Sequence, residues 1–355
     1  MAGNVDTWKA LFDWQVDDYV TFRGGPARAN RAPNIAELYT PSTVLVTLWP
    51  SGDPCSVNNT VPWGNTPGNP NQAKVIALCN QLSGYPSGVG PITSTYPGLG
   101  FYFPLALDQQ VGNPDLKSEK ATTWTIGTVL KSPFASPALS NMTVTLDYYN
   151  ITIDNAITPL TSQIVYSQCL NANGISNPTF SDANSYCQLI RRAATGATDT
   201  VIGEFTNIGY VKTAGIDMTW DWHAKLSDLG LTALPGAVSA NLTGNYLQKF
   251  VVQVATGDPA VDYKGSTGFD TTTGDQFRWK TLLTLGYSVG PADVSLRWRH
   301  LPAVENAARV LSPTADVADT DSNDEFDLFG SWHFTDKISG RIGIMNLANK
   351  APPLK

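Results

Sequence analysis

Residue types that could do chemistry are sparse in this 355-residue sequence, and their spacing excludes most reactions. The acidic run from Asp319 to Glu325, DTDSNDE, offers oxygen ligands for calcium. Taken as an EF-hand loop it fails, with Asp324 where the sharp turn needs Gly and Gly330 where a bidentate Glu is needed. It leaves a looser calcium site or, by default, a solvated acidic loop. Asp217 and Asp221 share one face of a strand, like a glycosidase pair. Four residues of extended chain separate them by about 13 Å, too far for either glycosidase geometry. G-x-S-x-G, H-E-x-x-H and P-loop motifs are absent, and His223, His300 and His333 are far apart. The sequence points to no catalytic residue, no metal and no cofactor.

Binding chemistry is better represented. The segment from Pro41 to Asp108 carries Trp49, Trp63, Tyr85, Tyr96, Phe101, Tyr102 and Phe103 among Asn, Gly and Ser. Aromatic faces in a polar loop stack on sugar rings or ring-bearing ligands, or else pack the loop upon itself. Arg191 and Arg192, just after Cys187, could clamp an anionic ligand through bidentate hydrogen bonds, or pin their loop to acidic neighbours. Cys55, Cys79, Cys169 and Cys187 allow three pairings. Joining neighbours in sequence closes one loop each and implies an oxidising compartment, with free buried thiols as the alternative.

The bulk numbers constrain what holds these residues. Charged residues make up 15% of the chain, below the roughly 25% of ordinary soluble domains, and the net charge is −7. Nucleic acid as a partner is excluded, since phosphate backbones need clustered Lys and Arg. The RGG at Arg23 to Gly25 is accordingly a strand feature. No apolar run reaches about 18 residues, which rules out a spanning helix but not a barrel. The opening MAGNVDTWKALFDW lacks the basic and apolar regions of a secretory signal, so the chain is expected to be cytosolic or a fragment.

Period-two alternation dominates. Ten strands are expected: Thr7–Trp14, Tyr19–Ala29, Thr122–Lys131, Asn141–Asp154, Glu204–Trp222, Ala237–Val252, Phe277–Val289, Asp293–His300, Asp324–Thr335 and Lys337–Leu347. In the seventh, Phe277, Trp279, Leu283, Leu285, Tyr287 and Val289 share one face while Arg278 and Lys280 take the other. The fifth aligns Ile208, Tyr210, Ala214, Ile216, Met218, Trp220 and Trp222. The fourth changes phase at Tyr149, which suggests a bulge. Connections alternate strictly between short and long, so a meander collects long loops at one end, at about 30–118, 155–203, 255–274 and 302–322. Short turns at one end, long loops at the other and an apolar face bordered by aromatics describe an outer-membrane barrel rather than a sandwich. Shifting the seventh strand by one residue would turn Arg278 and Lys280 toward lipid, at about 2–4 kcal/mol each near the midplane.

Five segments carry a resemblance. RANRAPNIAELY (Arg28 to Tyr39), GNPDLKSEKATTWTIG (Gly112 to Gly127), LDYYNITIDNAI (Leu146 to Ile157), NIGYVKTAGIDM (Asn207 to Met218) and NLANKAPP (Asn346 to Pro353) occur in order. The chain resembles the TonB-dependent outer-membrane receptors. Two departures are Ser118 where the family usually has Pro, and Pro26 inside a strand, tolerable at an edge or bulge. The resemblance implies an all-β fold: an antiparallel up-and-down transmembrane β-barrel, here ten strands, numbers 12 to 21 of a 22-stranded one. Residues 1–355 are then a C-terminal portion without plug or TonB box. It implies outer-membrane lipid as surroundings, a Gram-negative outer-membrane location, a nutrient substrate (carbohydrate, another organic compound or ferric siderophore), and TonB reached through the missing N-terminal part. The competing reading is a secreted β-rich carbohydrate-binding protein, soluble without detergent.

Overall fold

The computed structural model describes residues 6–48, 53–56, 59, 61–82, 105–192, 198–254, 258–268, 274–311 and 317–353. The chain opens with β1 (Trp8–Lys9), β2 (Phe12–Gln15) and β3 (Val20–Arg31). A first long segment holds α1 (Ile35–Tyr39), β4 (Thr43–Leu48), α2 (Gln72–Leu82) and β5 (Leu105–Val111). Next come β6 (Glu119–Lys131), α3 (Pro137–Ser140) and β7 (Met142–Asp154). A second long segment holds β8 (Ile157–Pro159), α4 (Ser162–Cys169), β9 (Ile190–Arg192) and β10 (Thr198–Asn207). There follow β11 (Tyr210–Lys225), β12 (Ala237–Gln253), β13 (Val261–Asp262), β14 (Trp279–Val289), β15 (Ala292–Leu301), α5 (Ala307–Leu311), β16 (Asn323–Thr335) and β17 (Ile338–Ile344).

One large antiparallel sheet runs β1–β3–β6–β7–β11–β12–β14–β15–β16–β17, with β2 beside β3 and β13 beside β12. Chain neighbours are sheet neighbours throughout, so every long connection leaves from the same end. A second sheet, β4–β5–β10–β8 with β9 on β10, is built wholly from the two longest connections.

The faces of the large sheet differ as the alternation requires. Trp124, Ile126, Leu146, Ile216, Leu285, Leu296 and Ile342 all point outward and are exposed; Trp124 is 58% and Ile342 77% accessible. No second layer covers this face among the described residues. The opposite face pairs charges: Arg23 grips Asp147 at 2.6 Å and Arg299 meets Glu325 at 2.5 Å. Gly127 makes room for the first pair, because a β-carbon there would collide with the Asp147 carboxylate.

Pro26 lies where β1 and β2 separate. Ala10 donates to the Pro26 carbonyl at 3.0 Å, but Pro26 has no N–H to return, and the ladder against β3 breaks there. Gly25 beside it has φ +141° and lies against the Ala10 carbonyl, leaving no space for a side chain.

Three expectations need correction. The phase change at Tyr149 is not a bulge: β7 keeps unbroken register with both β6 and β11. Instead Tyr149, Ile151 and Ile153 lie on the inner face while Asn150 and Thr152 face outward, because the strand continues beyond the apolar band and its polarity reverses. The irregularity falls between Ala214 and Gly215, where their partners on β12 are Lys249 and Leu247, leaving Gln248 extra. The strand expected from Glu204 to Trp222 is two strands. Glu204 belongs to β10, and Ile208 is buried with Val252 and Tyr263 in a small core rather than facing outward. Finally, β14 begins at Trp279, which leaves Phe277 outside the strand.

Candidate functional site: the folded loop layer

The loops join the wall through the very segments that carry the resemblance. Arg31 at the end of β3 holds Glu119, its ladder partner on β6, at 2.6 Å and Glu37 at 2.9 Å. Asn34 caps α1 by accepting from the Glu37 N–H, while Glu37 accepts from the Asn34 N–H, a reciprocal box. Glu119 also accepts from the Ile157 N–H at 2.7 Å. Asn207 accepts from the Lys117 N–H and donates to the carbonyls of Lys117 and Asn155. One polar cluster thus fixes where the first and second long loops leave the barrel wall.

Above this base the two longest loops share an apolar core. Disulfides join Cys55 to Cys79 and Cys169 to Cys187, with Cα separations of 5.7 and 4.8 Å. Val75, Leu78, Val165, Tyr166 and Val201 pack around them, and Trp63 lies against this cluster. A polar network crosses it. Arg192, whose side chain is 1% exposed, donates to Asp53 at 2.9 and 3.0 Å and to the Tyr166 hydroxyl at 2.7 Å. Thr198 donates to the same Asp53 carboxylate. Asp108 accepts from Ser162, and Asp258 accepts from Gln168 and Asn173. Burial pushes the Tyr186 phenol up, helped by the Asp258 charge, and burial followed by Asp115 pushes Glu204 up.

The residues singled out from sequence separate into groups. Arg192 is held in the loop core, whereas Arg191 is exposed and donates to the Gln188 carbonyl at 2.7 Å. Trp63 is described; Trp49, Tyr85, Tyr96, Phe101, Tyr102 and Phe103 lie outside the described residues. Asp319 accepts from Arg309, Asp324 from Trp298, and Glu325 from Arg299. Among the described residues no group of three or more His, Cys, Asp or Glu could hold a metal ion. Asp217 and Asp221 accept from Asn245 and Asn241 on the wall. Sequence reasoning missed Asp53, Tyr166 and Thr198 as partners of Arg192, and 139 residues between Asp53 and Arg192 left no local signal.

A sheet wearing accessible leucine, isoleucine and tryptophan on one face and ion pairs on the other, with all long loops at one end, is the wall of a membrane β-barrel. Residues 2–347 match the family described as TonB dependent receptor-like, beta-barrel. The chain belongs to this family of transport receptors. No curated protein sequence matches it. A mutant of the ferric enterobactin receptor PfeA from Pseudomonas aeruginosa, solved with enterobactin, is similar over 96% of this chain and 35% of its own, at 13% identity and TM-score 0.51. A second PfeA mutant is 14% identical over 97% of this chain and 35% of its own, also at TM-score 0.51. The siderophore receptor PirA from Acinetobacter baumannii is 15% identical over 95% of this chain and 36% of its own, at TM-score 0.47. The chain spans about a third of the length of the solved structures it matches.

Proposed function

We propose that this chain forms part of the wall and the outward-facing mouth of an outer-membrane receptor that imports a scarce organic nutrient with energy delivered through TonB. The observation that carries the reading is the accessible apolar band on one face of the large sheet, combined with folded loops confined to one end. The loops at about 30–118, 155–203, 255–274 and 302–322 then lie outside the cell. Contacts with TonB belong to the rest of the receptor.

For the ligand, the aromatics Trp49, Trp63, Tyr85, Phe101 and Tyr102 supply ring faces, and the exposed guanidinium of Arg191 supplies a forked donor for an anion. Arg192 serves by holding β9 against Asp53. Ferric siderophores of the catecholate type, which present aromatic rings and negative charge together, satisfy both features; the name of the PfeA structures, a ferric enterobactin receptor, is consistent with a ferric ligand. A neutral carbohydrate would use the aromatics alone.

The test is fractionation and uptake in the source bacterium. The full-length protein is expected in the outer membrane with heat-modifiable gel mobility, and deleting its gene should abolish TonB-dependent uptake of labelled ferric catecholate but not of labelled maltodextrin. The reverse uptake pattern assigns a carbohydrate. Recovery of the protein as a soluble monomer in plain buffer refutes the receptor reading and supports the secreted carbohydrate binder.

A further inference from the structure

Two of the connections at the short-turn end are more than tight turns. Residues 132–141, SPFASPALSN, and 226–236, LSDLGLTALPG, carry one charged residue between them, Asp228. Turns in water are built from Gly, Pro, Asn, Asp and Ser, with large apolar groups kept for the core. Here Phe134, Leu139, Leu229, Leu231 and Leu234 are all exposed. Phe134 is 53% and Leu234 55% accessible, so packing within the turns does not account for them.

Both connections are pinned to the outward side of the wall. The Trp222 indole, outward on β11, donates to the Ala138 carbonyl at 2.8 Å, and the Tyr287 hydroxyl, outward on β14, donates to the Pro235 carbonyl at 2.8 Å. Gly236, with φ +109°, lies against the Tyr287 ring, where a β-carbon would come within 2.9 Å. α3 packs against β11 and against the short 3-10 helix Leu226–Leu229, which joins the two connections into one body. Ala224, the next outward residue of β11 after Trp222, is buried.

Tryptophan and tyrosine at a membrane interface ordinarily direct their N–H and O–H to water and headgroups. Trp222 and Tyr287 are satisfied by turn carbonyls instead, which sets the turns beside the wall at the level of these rings. Trp279 and Tyr287 bracket the apolar band of β14. Half the depth between them places Tyr287 about 10 Å from the midplane, at a rise of about 3.4 Å per residue and a tilt of about 40°. Hydrocarbon extends about 15 Å from the midplane, so apolar groups held at this height meet acyl chains.

We propose that residues 132–141 and 226–236 form a single foot lying in the leaflet on the short-turn side, with lipid acyl chains covering its five apolar side chains. The proposal rests on the membrane reading above. Acyl chains are selected over a protein partner because the foot is continuous with the accessible band, stands at hydrocarbon depth, and offers no charge besides Asp228 to specify a protein surface. Interfacial segments lie in this way, in the membrane plane with the apolar side in the acyl boundary. The foot fixes the height of the wall, since sliding along the membrane normal would draw these side chains into water.

The test uses the full-length receptor in phospholipid vesicles. The four cysteines of this chain are bridged, so Phe134→Cys and Leu231→Cys each give one site on the foot for a nitroxide label. Collision with oxygen, which dissolves among acyl chains, is compared with collision with a neutral nickel chelate, which stays in water. Leu285→Cys is the lipid standard, and Asp336→Cys, exposed in the tight turn after β16, is the water standard. The oxygen-to-nickel ratio at both foot positions should match Leu285→Cys. Adding Leu229→Asp and Leu234→Asp should lower the ratio at Leu231→Cys to that of Asp336→Cys, with heat-modifiable mobility unchanged. Ratios at Phe134→Cys and Leu231→Cys equal to that of Asp336→Cys overturn the proposal. Weak collision with both reagents overturns it too, and marks a protein partner or a second copy on the foot. Either result leaves the membrane reading standing while Leu285→Cys reports lipid; a folded protein whose Leu285→Cys reports water removes both.

Discussion

Leu285→Arg separates a lipid-facing sheet from a water-facing one. Leu285 is 46% accessible on the outward face of β14. In a water-soluble protein such an exposed leucine tolerates substitution within about 0.5 kcal/mol. In a bilayer its depth decides the cost. Trp279 and Tyr287 share its face and lie eight residues apart, about 27 Å along the strand at about 3.4 Å per residue, or about 21 Å of depth at a tilt of about 40°. Leu285 is two residues from their midpoint, Leu283, and so about 5 Å from the midplane by the same rise and tilt. An arginine there should cost about 2 kcal/mol, the lower end of the midplane range, or about 30-fold in the folded fraction. Thr284→Glu, on the inner face opposite Arg297, should change stability by less than about 0.5 kcal/mol. The assay is reversible denaturant unfolding of the full-length receptor in lipid vesicles. Equal, small effects of both substitutions would refute the reasoning that the accessible apolar face touches lipid.

Further predictions concern the loop layer. Arg192→Met strands the Asp53 carboxylate in the loop core and should destabilise that layer by about 3–5 kcal/mol, seen as rapid proteolysis between 155 and 203 with the barrel strands still protected. Reducing the bridge between Cys169 and Cys187, 18 residues apart, should cost about 3 kcal/mol of loop stability, read as faster amide exchange in α4 with outer-membrane insertion unchanged. Burial raises the Asp262 pKa, but the N–H groups of Phe250 and Lys264 and the Lys264 ammonium outweigh it and hold the carboxyl below its ordinary value. This stabilisation is present above the unfolded carboxyl value of about 3.9 and fades as pH falls through the lower folded value. Exchange at Phe250 and Lys264 should therefore accelerate in that acidic window, and Asp262→Asn should remove the dependence.

Side-chain alternation and the order of short and long connections, both local, were legible in the sequence alone. Each strand residue faces one of two solvents, and a period of two records which one, so the outward rows of β6, β14 and β15 follow from composition at alternate positions. Gln248 could not be placed as a bulge, because the same alternation is compatible with several registers until β11 and β12 pair. Nor could the reversal along β7 be told from a slip, since its meaning depends on where the strand leaves the apolar band. The pairing of Cys55 with Cys79 and Cys169 with Cys187 was the simplest of three connectivities, and the structure contains it. The loop layer was decided by tertiary structure. Its parallel pairing of β5 with β10 and the bond of Arg192 to Asp53 join segments roughly a hundred residues apart. Short strands and helices in polar loops carry little amphipathic signal of their own. Their stability comes from a core that exists only once two distant loops have closed over the same end of the barrel wall.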